Sequence, residues 1–450
     1  MTTEPLYYGI LYIIPVKILH KLGLNYWNAI TVTIVLLGIL VFALEYWCLS
    51  QLIDNKVIYT LAVIANAIVS VQIFGNQYYQ MLPHRYVFQA IILTGAILAF
   101  RHIENKILRA FMWIMAGLAF VWNTDTGLVC ALAWMVVCVY LDAKRAGKYR
   151  IKDIFKNVVS FVIALLCALG FVNVYNLAVG GKTVSFRTFI YPLASKSYPV
   201  ENIQCVLQNS WAGYMVVILL TLGVIGYYFT NIINLKLTEK AYIAVCIGTI
   251  GFGVYTYYMN RAVSSNASVS CFATVMLIAY ICDNWLIKPS NITDLWNWID
   301  IKKVTALLSL TILSSMALST IVTLGSTIQL KLSTTWETDS LYEFIEEAKQ
   351  RIPEDTVAFG LGTAQLFSTM DRQTGIYMAD WEDLDQTLNG GETVINQSAI
   401  DYLNNMLEEN AYTHIVVNEA QQSYIPADRY SMIDTLEYNG YVFNLYEKNN

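Results

Sequence analysis

Long apolar stretches separated by short polar connections dominate most of the chain and restrict it to a helical membrane fold. With 56% hydrophobic and 14% charged residues and a mean hydropathy of +0.47, the chain of 450 residues is excluded from the ordinary soluble globular class. About ten stretches approach the ~20 residues that a helix needs to cross a bilayer. The predicted spans are Tyr26–Leu49, Val57–Phe74, Leu82–Phe100, Ile107–Trp122, Thr124–Leu141, Phe155–Ala178, Tyr214–Ile232, Ala241–Tyr258, Ala267–Leu286 and Val304–Leu324.

The sequence divides into two parts. Residues 1–328 form the predicted transmembrane bundle, which one longer outer loop, residues 180–213, interrupts. Residues 336–450 alternate between helical and strand patterns and predict a small extracytoplasmic α/β domain. Its predicted helices are Ser340–Gln350, Ile400–Leu407 and Ser431–Glu437, and its predicted strands are Thr356–Gly360, Thr413–Val417 and Tyr441–Tyr446.

The orientation follows from the connections that carry lysine and arginine, because such connections are usually cytoplasmic. This rule places residues 180–213, the tail and both termini outside the bacterial plasma membrane. The first 25 residues lack a signal peptide, so either the N-terminus is translocated unaided or a further helix precedes it in the intact protein, and we expect the second. The basic residues on the alternate connections are Arg101, Lys106, Arg109, Lys144, Arg145, Lys148, Arg150, Lys152, Lys156, Lys236, Lys240, Lys288, Lys302 and Lys303.

Charge and cysteine usage narrow the possible partners. From Lys331 onward the chain has 6 basic and 21 acidic residues, which is typical of a solvated outer domain and disfavours a nucleic-acid partner. Seven of the eight cysteines lie in predicted spans and only Cys205 lies outside. This distribution gives neither a disulfide framework nor metal-ligand spacing, and no motif indicates a cofactor.

Three polar clusters fall at the predicted outer ends of the spans, where unsatisfied polar groups are costly. The first, residues 76–85, ends in His84 and Arg85. A guanidinium at headgroup level can hold a lipid-linked phosphate through two hydrogen bonds, and His84 could supply another donor. The alternative is that Arg85 reaches lipid phosphates or pairs with a carboxylate.

The second cluster, residues 122–127, contains Asn123 and Asp125. Asp125 is either the N-cap of the following helix or a carboxylate that orients a sugar hydroxyl or an arginine, and it is the candidate catalytic residue. The third cluster ends in Tyr258, Asn260 and Arg261. A cation at Arg261 opposes the topological bias, so we expect an anion beside it, either a prenyl-linked phosphate or Asp125.

These patterns resemble the GT-C superfamily of integral-membrane glycosyltransferases, which take sugars from polyprenyl-phosphate carriers. Residues 9–28, the run Trp-Asn-Thr-Asp-Thr-Gly at 122–127, the run Tyr-Tyr-Met-Asn-Arg at 257–261 and the C-terminal outer domain all look like features of bacterial members. The resemblance implies that the protein contacts membrane lipid and transfers a sugar from a polyprenyl-phosphate donor to a cell-envelope glycan or lipid acceptor. We expect neither a cofactor nor a metal ion.

The sequence departs from that superfamily at its beginning. Members carry their catalytic carboxylate in a first outer loop after a first helix, and of the acidic residues only Glu4 stands near the start here. We therefore expect an N-terminally truncated form. The alternatives are a lipid-linked oligosaccharide flippase or transporter, a polysaccharide polymerase, and a non-catalytic remnant or one half of a split enzyme.

Overall fold

The computed structural model describes residues 10–75, 83–178, 183–184, 212–260, 269–286, 301–333, 338–359, 366–367, 370, 388–389, 392–393, 412–419, 422, 425–438 and 440–449. Each predicted span contains a helix in these ranges. The helices before the tail are α1 (Ile10–Lys21), α2 (Tyr26–Leu52), α3 (Lys56–Gly75), α4 (Val87–Arg101), α5 (Lys106–Trp122), α6 (Thr124–Ala146), α7 (Ile151–Ala178), α8 (Ala212–Ile233), α9 (Glu239–Asn260), α10 (Cys271–Ile281) and α11 (Ile301–Ser333). A π-helical turn, Cys282–Leu286, extends α10.

Helices of this length and composition make the chain a helical membrane protein. Within the described ranges, four are long and apolar enough to cross a bilayer: Asn28–Leu52, Thr124–Ala146, Ile151–Ala178 and Lys303–Ser326. The window of α6 is 67% buried, against 22% for each of the other three, so α6 lies at the centre of the bundle. Several other apolar helices are shorter, so the total of about ten spans stays a prediction.

The connections that carry the basic residues meet at one end of the bundle, which we call the basic end. Arg101 Nε at the end of α4 donates to Glu239 Oε1 at the start of α9 over 2.6 Å. Lys240 Nζ lies 2.6 Å from Asp54 Oδ2 in the connection between α2 and α3. Because successive helices run in opposite directions, the turn at 83–86 and the α5–α6 junction lie at the other end, which we call the polar end.

Asp283 holds the connection before α3, which is far away in the sequence, at the basic end. Its carboxylate accepts the backbone N–H groups of Asp54 and Asn55 at 3.1 and 2.9 Å. Asn55 Oδ1 in turn accepts the N–H groups of Val57 and Ile58 at 2.9 and 3.1 Å. The first N–H groups of a helix have no partner within the helix, so these bonds fix where α3 begins.

Helix α1 was not among the predicted elements. Its described part covers 12 residues and packs against α2 and α5. Lys17 Nζ lies 3.4 Å from the hydroxyl of Tyr175, which is close to the end of α7. This contact places α1 at the polar end.

The described residues of the tail include the helix α12 (Thr338–Arg351) and a four-stranded sheet in the order β1-β4-β6-β5. Strands β1 (Thr356–Phe359) and β4 (His414–Asn418) are parallel, whereas β6 (Tyr441–Lys448) is antiparallel to β4 and to β5 (Tyr430–Tyr438). The two-residue strands β2 (Leu388–Asn389) and β3 (Glu392–Thr393) form a separate pair. Phe344 of α12 packs on the sheet beside Tyr438 and Phe443.

The tail predictions are confirmed for α12, β1, β4 and β6 and wrong for one element. Ser431–Glu437 is a strand, not a helix, because it pairs along its length with β6. The predicted helix Ile400–Leu407 lies outside the described residues.

Candidate functional site at the polar end

The turn 83–86 starts α4 and buries a charged side chain. The carbonyl oxygen of Pro83 accepts the N–H groups of Tyr86 and Val87 at 3.1 and 3.0 Å, which turns the chain into the helix. Arg85 is only 4% exposed and Tyr86 only 1%. A guanidinium held away from water interacts strongly with any anion that reaches it. Residues 76–82 of the first cluster lie outside the described ranges.

Trp122 connects the first and second clusters. Its indole Nε1–H donates to the carbonyl oxygen of His84 over 2.6 Å. The ring centroids of His84 and Trp122 are 5.0 Å apart, and Phe88 meets the indole edge-on at 5.7 Å. The end of α5 is therefore fixed against the turn that carries Arg85.

Asn123 is the only residue between α5 and α6, and it caps both helices. Its N–H donates to the carbonyl oxygen of Ala119 at 3.2 Å, and its Oδ1 accepts the N–H and the hydroxyl of Thr126, both at 3.0 Å. Gly127 permits this tight junction, since a Cβ there would lie 1.9 Å from the carbonyl oxygen of Ala119.

The N-cap interpretation of Asp125 is wrong, because Asn123 takes that position. Asp125 is instead the second residue of α6 and is partly exposed. A carboxylate in the first turn of a helix is stabilised by the helix dipole. Its proposed role, orienting a ligand or a cation at the polar end, stays a prediction.

Gln89 belongs to this region and was missed by the sequence interpretation. It is fully buried, and its Nε2 donates to the carbonyl oxygens of Arg85 at 2.8 Å and Val269 at 3.3 Å. It therefore ties the turn to the residues that precede α10. The sequence carried no signal for it, because its role depends on a contact with Val269, which is far away along the chain.

The structure describes the third cluster only as far as the backbone of Asn260. Helix α9 ends at Asn260 and packs against α6, where a Cβ at Gly253 would lie 2.3 Å from Val129. Arg261 and the side chains of Tyr258 and Asn260 lie outside the described residues. The predicted convergence of Arg261 with Arg85 and Asp125 stays a prediction.

Comparisons of the sequence with protein-family models and with curated proteins find no match. Among the described residues, no group of three or more His, Cys, Asp or Glu could hold a metal ion. The function therefore has to be argued from the chemistry of the polar end.

Proposed function

We propose that the protein is a membrane glycosyltransferase that takes a sugar from a polyprenyl-phosphate carrier at the polar end of the bundle. The observation that carries the proposal is the buried guanidinium of Arg85, held on a turn that Trp122 and Gln89 fix from two sides. Cationic side chains held in this way suit a phosphate headgroup. The GT-C-like motifs of the sequence support the same chemistry.

In the proposed reaction, Arg85 and Arg261 stabilise the departing lipid phosphate. Asp125 is the candidate group that orients or deprotonates the acceptor hydroxyl, which then attacks the anomeric carbon. The acceptor is a cell-envelope glycan or lipid. We place the polar end on the outer face of the plasma membrane, because the basic connections gather at the opposite end.

Binding of polyprenyl monophosphate to the full-length protein in nanodiscs tests the first step. Losing a charge-assisted contact to a phosphate costs ~1.5–3 kcal/mol, which is roughly 10- to 150-fold in affinity. We expect this loss for Arg85→Gln and a smaller loss for Arg85→Lys, which keeps the charge but not the planar donor set. Arg101→Gln at the basic end is the matched control and should bind normally.

Further outcomes separate the alternatives. Polyprenol without the phosphate should bind wild type and Arg85→Gln equally. If Arg85→Gln binds the phosphate normally and only melts at a lower temperature, Arg85 is a structural residue and the proposal fails.

Asp125→Asn should retain lipid binding and lose sugar transfer from a labelled donor. Wild-type protein that binds the carrier but transfers no sugar would contradict transfer by this chain alone, and would favour a flippase, a transporter or a non-catalytic remnant.

A further inference from the structure

A buried acid lies inside the apolar run of α2. Glu45 is 1% exposed and faces Asn66 of α3, which is also 1% exposed. Asn66 Nδ2 donates to Glu45 Oε2 over 2.7 Å. The two remaining oxygens of the pair, Glu45 Oε1 and Asn66 Oδ1, are buried and have no hydrogen-bond partner in the part of the chain that the structure describes.

An ionised Glu45 would be poorly compensated in this position. One hydrogen bond from a neutral amide does not offset the several kcal/mol that desolvation of a carboxylate costs. None of the ion pairs among the described residues involves Glu45. Among the described side chains, the charged groups on α3 and on the helices that pack against α2 and α3 lie toward the helix ends: Lys17 and Lys21 (α1), Lys56 (α3), Arg101 (α4), Glu239 and Lys240 (α9), Asp283 (after α10) and Lys303 (α11).

The remaining titratable groups near Glu45 are uncharged at neutral pH. Tyr46 and Cys48 are its neighbours on α2. The Tyr59 hydroxyl of α3 donates to the Tyr46 carbonyl oxygen at 3.4 Å, and Cys48 Sγ lies 3.5 Å from Thr94 Oγ1 of α4. Further along the bundle, α9 contributes Tyr242 and Cys246. None of these groups supplies a positive charge to Glu45.

A single proton would pair both orphaned oxygens. A carboxylic acid and a primary amide form a ring of two hydrogen bonds, in which the amide N–H donates to one carboxyl oxygen and the acid O–H donates to the amide oxygen. The first of these bonds is present. We propose that Glu45 carries a proton on Oε1 at neutral pH, and that Glu45 and Asn66 form an intramembrane proton-binding site that joins α2 to α3.

Loss of this proton would change the contact between the two helices. It would leave the carboxylate and Asn66 Oδ1 as acceptors without a shared hydrogen, and it would place a charge inside the bundle. The site therefore links proton binding to the packing of the hairpin formed by α2 and α3. This role is separate from the polar end and does not depend on the proposed transferase activity.

Infrared spectroscopy of the full-length protein in bilayers at neutral pH tests the proposal. We expect the carbonyl stretch of a protonated carboxyl group, shifted on exchange into D₂O, in wild type and its loss in Glu45→Gln. The Glu45→Gln variant keeps a two-bond amide ring with Asn66 and should melt close to wild type. Asn66→Leu should retain the band, shift it to higher frequency because the acid loses its partner, and lower the melting temperature.

Asp142→Asn is the matched control. Asp142 is also buried, but it pairs with Arg109 at 2.5 Å and Asn157 at 2.8 Å, so its removal should leave the band unchanged. If wild type and Glu45→Gln give the same carboxyl region at neutral pH, Glu45 is ionised and the proposal is overturned. If Glu45→Gln does not fold, the wild-type spectrum decides: a protonated-carboxyl band that Asn66→Leu shifts supports the site, and its absence overturns it.

Discussion

Asp142 shows how a single residue allows the bundle to bury a charge. Arg109 Nη1 lies 2.5 Å from its Oδ1, and Asn157 Nδ2 donates to its Oδ2 at 2.8 Å. The same guanidinium reaches the carbonyl oxygen of Cys138 at 3.4 Å. Side chains from α5, α6 and α7 thus share one polar contact, whereas Glu45 has only an amide. Removing one partner of such a pair is costlier than removing an exposed one.

Among the described glycines, Gly127 has the closest neighbouring atom to an added Cβ. We expect Gly127→Ala to destabilise the protein by ~1–3 kcal/mol, because its Cβ would overlap the backbone of α5. The measurement is the thermal melting of the full-length protein in detergent. Gly38→Ala is the control, since a Cβ there meets nothing within 4 Å. Equal melting temperatures for the two variants would show that α5 and α6 do not approach this closely.

At the scale of elements, the sequence predicted the helices because their apolar runs are long, and it failed where a short pattern fits two structures. Met432 and Leu436 have helical spacing, yet Ser431–Glu437 is part of β5. Tyr438 pairs with Tyr441, which leaves Asn-Gly between them, and Gly440 has a φ of +79°. An Asn-Gly pair between two strands is the strongest short hairpin signal, and it was overlooked.

The predicted starts and ends of the helices were also inexact. Helix α4 begins at Val87, five residues after the predicted start, because the turn at Pro83 precedes it. Helix α11 continues to Ser333, nine residues past the predicted end.

At the candidate site, the sequence predicted Arg85, His84 and Asp125 from their position at span ends. It could not predict Gln89, whose role depends on contact with Val269 across the fold.

The contact between α12 and β5 predicts a pH dependence in the tail. Arg351 donates to both carboxylate oxygens of Asp434, over 2.9 and 2.5 Å, and this lowers the pKa of Asp434. A carboxyl group whose pKa is lower in the folded state stabilises that state above its unfolded pKa. The stabilisation is lost as the pH falls through the folded pKa. Asp434→Asn should therefore loosen β5 and β6 at neutral pH but not in acid.

Hydrogen exchange of peptides from residues 430–448 measures this difference. At neutral pH we expect about 2- to 5-fold faster exchange in Asp434→Asn, equivalent to ~0.5–1 kcal/mol for a partly exposed pair. Below the folded pKa of Asp434 the two proteins should converge. Lys349→Met, which removes an exposed cation paired with Glu346 on the same helix, should behave as wild type. A difference that persists unchanged in acid would assign the effect to packing instead of charge.

At the scale of the whole molecule, the alternation of basic connections along the sequence becomes a division between two ends. Arg101, Lys240 and Asp283 gather at the basic end, whereas the turn at 83–86 and Asn123 lie at the polar end. The sequence predicted this division because helices of similar length place alternate connections together. It gave no indication of α1, whose apolar run is too short to be distinguished as a span.

Reporter fusions test the orientation of the whole chain. Alkaline phosphatase folds only outside the cytoplasm, so we expect activity for a fusion after Asn450 and none for a fusion after Gly147, which lies in a basic connection. A fluorescent protein that folds only in the cytoplasm should give the reverse pattern. Phosphatase activity after Gly147 together with none after Asn450 would show the opposite orientation, with the polar end in the cytoplasm.

The single-residue junction at Asn123 has a consequence for biogenesis. Because no slack chain separates α5 from α6, neither helix can shift along its axis without carrying the other. We therefore expect the pair to insert as one helical hairpin with Asn123 at its tip. Trp122 and Asp125 would then reach the polar end in a single insertion event.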